Sequence, residues 1–303
     1  MSKNLSNIIN AMSVDVEDYF QVSAFEQKIN RDNWNKIPCR VEKNVERILT
    51  LFENKNITAT FFTLGWIAER YPHLIKQITS AGHELASHGW NHARVCTQTR
   101  KQFKEDIRSS RKLLEDISGV QVKGYRAPSY SISRENLWAL DELAEAGYQY
   151  SSSIAPVRHD LYGIPDAPRF PFKVAKGALL EIPISTVKVG GKNLHCSGGG
   201  WFRLFPYALS HWAISRVNHK ERQPCVFYFH PWEIDPQQPK VSGLNVKSRF
   251  RHYLNLSRME SRLTHLLDDF EWGRVDEVFL GIEESAYQQT TEKWMDYHDF
   301  ANS

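Results

Sequence analysis

Two histidines, His88 and His92, lie four positions apart in the stretch SHGWNH. Imidazoles at that spacing can converge in a helical turn or a tight loop. Zinc favours imidazole nitrogen and carboxylate oxygen, and catalytic zinc sites keep one position open for water. A third ligand must then come from elsewhere in the chain. Upstream, SVDVEDYF places the carboxylates of Asp15, Glu17 and Asp18 within four residues. Such groups repel one another unless something positive neutralises them, and a divalent metal does this well, helped by an arginine. Alone, such a cluster is as often a solvated turn. Arg126, in GYRAPSY, could ion-pair a carboxylate and keep it ionised, although most arginines form only surface pairs. His230, in FYFHPWE, ends an apolar run, where a lone histidine is more often a hydrogen-bonded core residue.

These groups can meet only if the fold gathers them. Short apolar runs alternate with helical patterns: IINAMSVDV, TATFFTLG, HELASHG, VKGYRAP and YQYSSSI read as strands. Between them, VEKNVERILTLFENKN, IAERYPHLIKQITSAG, TRKQFKEDIRSSRKLLEDISG and RENLWALDELAEAG read as helices. Gly82, Gly119 and Gly147 close the last three. This β-α alternation predicts a parallel sheet, open or closed into a barrel. Residues just after parallel strands collect at one face of such an array. The acidic cluster, the histidine pair, Arg126 and His230 all follow predicted strands. From about residue 155 to 200 the chain is richer in Pro and Gly, and loops and short strands such as ALLEIPIS are expected. A helix (FPYALSHWAISRVN) and a strand (CVFYFHP) resume the alternation. VSGLNVKSRFRHYLNLSR reads as a polar excursion, MESRLTHLLDDF as a last helix and VDEVFL as a last short strand.

The chain has 303 residues, 41% of them hydrophobic, enough for a sizeable core. Its net charge of +3 carries no basic stripe, which argues against a nucleic-acid partner. No apolar run approaches the length of a transmembrane helix. The N-terminal MSKNLSNIIN lacks the pattern of a signal peptide. Cys39, Cys96, Cys196 and Cys225 are widely spaced, which reads as free thiols and, with the N-terminus, predicts a cytoplasmic protein. With no linker in view, residues 1–303 are expected to form one domain.

The ordered set SVDVED, SHGWNH, YRAPSY, QYSSSI and FYFHPWE resembles the NodB-type polysaccharide deacetylases of carbohydrate esterase family 4. DVEDYFQV, GGGWFRLFPY and HPWEIDPQQP resemble the subgroup found in exopolysaccharide and exosortase-associated loci, with a subgroup-specific part from about residue 195 to 303. The resemblance implies a distorted, incomplete (β/α) barrel. It implies that Asp15 is the catalytic base, that Arg126 holds it, and that His230 is the general acid. His88 and His92 would be metal ligands, with zinc the usual ion. The family's first motif has two adjacent aspartates, base then ligand; here Val16 follows Asp15. Glu17 or Asp18 would complete the triad, with Asp18 preferred for its ligand chemistry. The subgroup often carries an aspartate where this chain has Ser151.

The resemblance also implies a reaction: metal-assisted hydrolysis of an N-acetyl group on a hexosamine, within a polysaccharide or a lipid-linked precursor. The ion would polarise the acetamide and lower the pKa of a water. Asp15 would take the water's proton, and His230 would protonate the leaving amine. The backbone N–H of Tyr130, in a loop stiffened by Pro128, would stabilise the oxyanion. One competing expectation is hydrolysis of a cyclic amide, as in allantoinase-like relatives of this fold, some of them metal-free; the intact histidine pair argues against that form. Another is an inactive sugar-binding homologue. Trp90, Trp201 and Trp232 could stack on sugar rings or simply pack. Gly198–Gly200 could let the backbone approach a substrate or form a plain loop. His73, His195 and His252 lack motif context.

Overall fold

The computed structural model describes residues 8–159 and 162–281. Residues 1–7, which carry most of the expectation of no signal peptide, lie outside the described residues, as do 282–303.

The chain opens with β1 (Ile9–Val16), which is buried from Asn10 onward, as expected of a central parallel strand. The next elements are α1 (Val41–Asn54), β2 (Thr60–Thr63), α2 (Gly65–Arg70), α3 (Pro72–Ser80) and β3 (Glu84–Ser87). After them come α4 (Arg100–Ser118), β4 (Gly124–Tyr125), α5 (Trp138–Glu145) and β5 (Tyr150–Ser151). The expected helix through residues 67–82 is therefore two helices. They break at Tyr71, where Pro72 lacks an N–H and starts a new first turn. Helix α4 begins with a capping box: Gln102 N donates to Thr99 Oγ1, and Thr99 N donates to Gln102 Oε1. Gly119 ends it at φ +72°, a left-handed conformation that suits glycine.

The second half holds β6 (Phe172–Val174), β7 (Leu179–Glu181), the hairpin β8 (Thr186–Val189) and β9 (Lys192–His195), then α6 (Gly199–Leu204) and α7 (Tyr207–Arg216). β10 (Val226–Phe229), α8 (Val246–Tyr253), α9 (Leu256–Asp269), β11 (Glu271–Gly273) and α10 (Val275–Phe279) complete it. Two expectations fail here. The polar excursion contains α8, whose apolar residues Val246 and Phe250 are exposed and whose N-terminus is capped by Asn245. VDEVFL is helical. Val275 and Phe279, four residues apart, are the buried pair, and a run this short does not distinguish strand from helix by pattern. The final strand instead lies just upstream, pairing Ile9–Ala11 of β1.

The sheet order is β10-β1-β2-β3-β4-β5-β7-β6, with β11 also on β1. All these pairs are parallel except β6 with β7. The path ends in β10 on one side and β6 on the other, so the sheet is an open, strongly curled half-barrel. Ala11, Phe62, Ala86, Tyr150, Leu180 and Val226, from six strands, form one buried cluster with Val275 and Phe279 of α10. Strands that distant in the sheet share a cluster because the sheet curls around it. Two larger clusters lie beneath the surrounding helices. Among the described residues no helix is long and apolar enough to cross a membrane.

Candidate metal centre and catalytic cleft

β10, β1, β2, β3 and β4 run parallel in that order, and the four sequence clusters meet at the carboxyl ends of β10, β1, β3 and β4. Asp15 is the penultimate residue of β1 and 2% exposed. Arg126, just past β4, is fully buried, and its Nη1 donates to Asp15 Oδ1 at 2.6 Å and Ser13 Oγ at 2.9 Å. The guanidinium also donates to the carbonyl and hydroxyl of Ser152, and lies 4.0 Å above the Phe62 ring. These contacts fix the Oδ1 side of Asp15.

Glu17 lies just past the end of β1, where its N–H donates to the Asp15 carbonyl at 2.9 Å. Glu17, His88 and His92 each offer a ligand atom, and these atoms lie within 4.8 Å of one another. Glu17 Oε2 is 2.7 Å from His92 Nε2, yet it is buried without a hydrogen bond of proper geometry. His88 Nδ1 lies 2.8 Å from the carbonyl of Arg126. A carbonyl only accepts, so Nδ1 carries the proton and Nε2 keeps its lone pair, the arrangement that second-shell partners impose on metal-binding histidines. His92 is held at φ +55°, and Arg31 donates to the carbonyls of Asn91 and His92. Two imidazole nitrogens and one carboxylate oxygen, the last buried and orphaned, make a donor set that fits a divalent ion such as zinc.

Asp18 points elsewhere. Its carboxylate accepts the N–H groups of Tyr19, Arg40 and Val41, tying the end of β1 to the start of α1. Burial outweighs those bonds and pushes its pKa up to about 6. The preference for Asp18 as the third ligand therefore yields to Glu17.

His230 follows β10. Its Nε2 lies 3.6 Å from Glu17 Oε1 and 3.9 Å from Asp15 Oδ2. Burial alone would lower this imidazole, but the carboxylates of Glu17 and Glu233 prevail and raise it to about 9. Glu17 balances likewise: burial raises it, and the His92 and His230 imidazoles hold it well below the usual carboxylate range. Pro128 and Tyr130 form a buried turn beside Arg126. The Tyr130 N–H, expected to face an oxyanion, already donates to the Ala127 carbonyl at 3.0 Å.

Beside this group, Glu233 was not singled out from the sequence, and Trp232 was considered only for sugar stacking. Glu233 is fully buried and accepts from both the N–H and Nδ1 of His230, each at 3.0 Å. Trp232 donates to Glu17 Oε1 at 3.1 Å, its ring stacked between His230 and His252. The H-x-x-E spacing was visible in FYFHPWE and resembles a capping box; Glu233 does bond the backbone N–H of His230. Of the tryptophans considered for sugar stacking, Trp232 is thus enclosed. Trp201 lies between His195 and Phe205. Trp90 packs on Gly65. Gly198 and Gly199 approach protein side chains: a Cβ on Gly198 would lie 2.6 Å from the Tyr228 ring, and one on Gly199 1.9 Å from Glu233 Oε2, whereas one on Gly200 would meet nothing within 4 Å.

Comparison with known proteins adds independent information. Residues 32–151 match the family model "Polysaccharide deacetylase", and residues 152–280 match one described as a domain of unknown function, DUF3473. The sheet takes strands from both stretches. A peptidoglycan deacetylase of Helicobacter pylori is 31% identical over 113 residues, 37% of this chain and 38% of that protein. A peptidoglycan-N-acetylmuramic acid deacetylase of Bacillus subtilis, PdaA, is 28% identical over 103 residues, 34% of this chain and 38% of its own length. The chain thus spans well under half the length of these curated relatives. A crystal structure described as a "putative polysaccharide deacetylase from Mycobacterium smegmatis" superposes with a TM-score of 0.60 at 17% identity, covering 94% of each chain. A Puue allantoinase does so with 0.58 at 14% identity, over 91% of this chain and 90% of its own. Both establish the fold.

Proposed function

We propose that this member of the polysaccharide deacetylase family, of the NodB type, is a metal-dependent hydrolase that removes N-acetyl groups from N-acetylhexosamine units of a glycan. The observation that carries the reading is the convergence of Glu17, His88 and His92 beside the Asp15–Arg126 pair, with His230 across the cleft. The allantoinase likeness is one of fold; the ligand cluster favours the metal-dependent reading.

Glu17, His88 and His92 would hold the ion, with zinc the best match to two imidazoles and a carboxylate. Bound there, it supplies Lewis-acid polarisation of the acetamide carbonyl and a water of lowered pKa. The other work falls to the chain. Arg126 clamps one oxygen of Asp15, leaving Oδ2 to take a proton from the attacking water. As the water oxygen bonds to the acetyl carbon and the C–N bond breaks, His230 Nε2 delivers a proton to the departing nitrogen, without which an amine is a poor leaving group. Acetate and a free amino sugar result. The substrate we assign is an exopolysaccharide or its precursor, handled in the cytoplasm. That assignment leans on the subgroup-like stretches around Asp15, Trp201 and His230 and on the free thiols of Cys39, Cys96, Cys196 and Cys225.

The test is acetate release by the zinc-loaded chain from N-acetylglucosamine oligomers, run beside a cyclic ureide. Release from the oligomers, abolished by Asp15→Asn, is the expected outcome. Ureide hydrolysis with untouched oligomers would overturn the reading, as would zinc and oligosaccharide binding without any acetate.

A further inference from the structure

We propose that Glu233 is the positioning residue for His230, and that Gly199 and Arg203 fix Glu233 in that role. The inference rests on the deacetylase reading, and it gives a task to part of the stretch matched only as a domain of unknown function.

The geometry is specific. Glu233 Oε2 accepts from His230 Nδ1, so the proton on Nδ1 is committed and Nε2 is the nitrogen that exchanges protons. Nε2 is also the nitrogen facing Asp15 and Glu17. During C–N cleavage the Nε2 proton passes to the departing nitrogen, the imidazole becomes neutral with Nδ1 still protonated, and Glu233 stays ionised throughout. The other oxygen of Glu233 accepts from Arg203 Nε at 2.8 Å. Arg203 is 1% exposed, and its remaining nitrogens donate to the carbonyls of Arg251, His252 and Leu254. Gly199 provides the room, since any Cβ there would occupy the place of the carboxylate. Ser151, where the related subgroup often has an acid, instead donates to Ser153 Oγ at 2.8 Å. The carboxylate on His230 thus comes from its own motif and is braced by α6 and the end of α8.

Glu233→Gln removes the charge, and Gly199→Ala displaces the carboxylate while keeping it. With N-acetylglucosamine oligomers and zinc-loaded protein, each should lower kcat by about 10²-fold or more, leaving KM and zinc affinity near wild type. In a His230→Ala background neither should lower kcat further. Variants within threefold of wild type, or losses that multiply with His230→Ala, would overturn the proposal. Should both variants unfold, nitrogen NMR of wild-type His230 decides: the neutral ring must carry its proton on Nδ1, and the Nε2–H tautomer would refute the assignment. If wild type releases no acetate, the deacetylase reading fails while the tautomer measurement still judges this one.

Discussion

The two ends of the sheet each bury a glutamate, and they treat it in opposite ways. At the carboxyl end, Glu17 faces the imidazoles of His92 and His230, which overcome the effect of burial and keep it ionised. At the amino end, Glu84, the first residue of β3, takes hydrogen bonds from the Thr60 hydroxyl, the Tyr150 phenol at 2.9 Å and the Asp276 N–H at 3.1 Å. Those donors are neutral. Burial, reinforced by the nearby Asp276 charge, pushes Glu84 up to about 8. One glutamate can serve a cation; the other ties β2, β3, β5 and α10 together. Burying a carboxyl therefore makes no functional site by itself; the charge of its partners decides.

The sharpest break between the two ends is Asp15→Asn, which keeps the size of the side chain and removes the proposed base. Turnover of N-acetylglucosamine oligomers should fall by about 10²–10⁴-fold, with zinc still bound at near wild-type affinity. Glutamate 17 gives the next contrast. Glu17→Gln should weaken zinc binding by at least about 10²-fold, measured by competition with a chelator, since a lost ligand costs more than the ~10–100-fold of a second-shell change. Glu84→Gln should leave zinc affinity unchanged. Asp18→Asn serves as an internal control: it should retain zinc and lose about 0.5–2 kcal/mol of stability, the scale of a lost helix cap. Trp232→Phe keeps the ring and deletes the donor to Glu17, so zinc should bind about tenfold more weakly.

The main lines of the site were legible because strand ends in a parallel array share one face. That rule linked Asp15, His88, His92, Arg126 and His230 before any coordinates, and the curled sheet brings them together. The choice between Glu17 and Asp18 was not legible: both lie past the end of β1, where the Glu17 N–H bonds the Asp15 carbonyl, and Asp18 is turned away to the N–H groups of Tyr19, Arg40 and Val41. What the sequence hid depends on distant packing. Nothing local says that Gly199 is bare because Glu233 lies against it, or that Arg203 is consumed by carbonyls of residues 251–254. The Tyr130 N–H had a nearer acceptor in Ala127, because the turn after Pro128 closes on itself. The VDEVFL helix was ambiguous for the same reason: its start is set by contacts of Val275 with Thr60 and of Asp276 with Glu84, two remote strands.

The smallest expected effect comes from the structural glutamate, and it appears as a pH dependence. A carboxyl whose pKa is raised to about 8 in the folded chain, against an unfolded value near 4.5, binds more protons folded than unfolded between those values. Stability must then decline as pH rises through that window, by at most about 1.4 kcal/mol per pH unit for one proton. The contribution is fully present below about 4.5 and lost above 8. Glu84→Gln keeps an acceptor for Tyr150 and carries no proton to lose, so its denaturant midpoint should be flatter than wild type from pH 5 to 8. Asp276, held low by Arg274 and Lys123 against the pull of burial, keeps its charge across that range and leaves the slope to Glu84. If wild type and Glu84→Gln show parallel pH profiles, Glu84 is ionised in the fold and the contrast between the two ends of the sheet fails at its structural end.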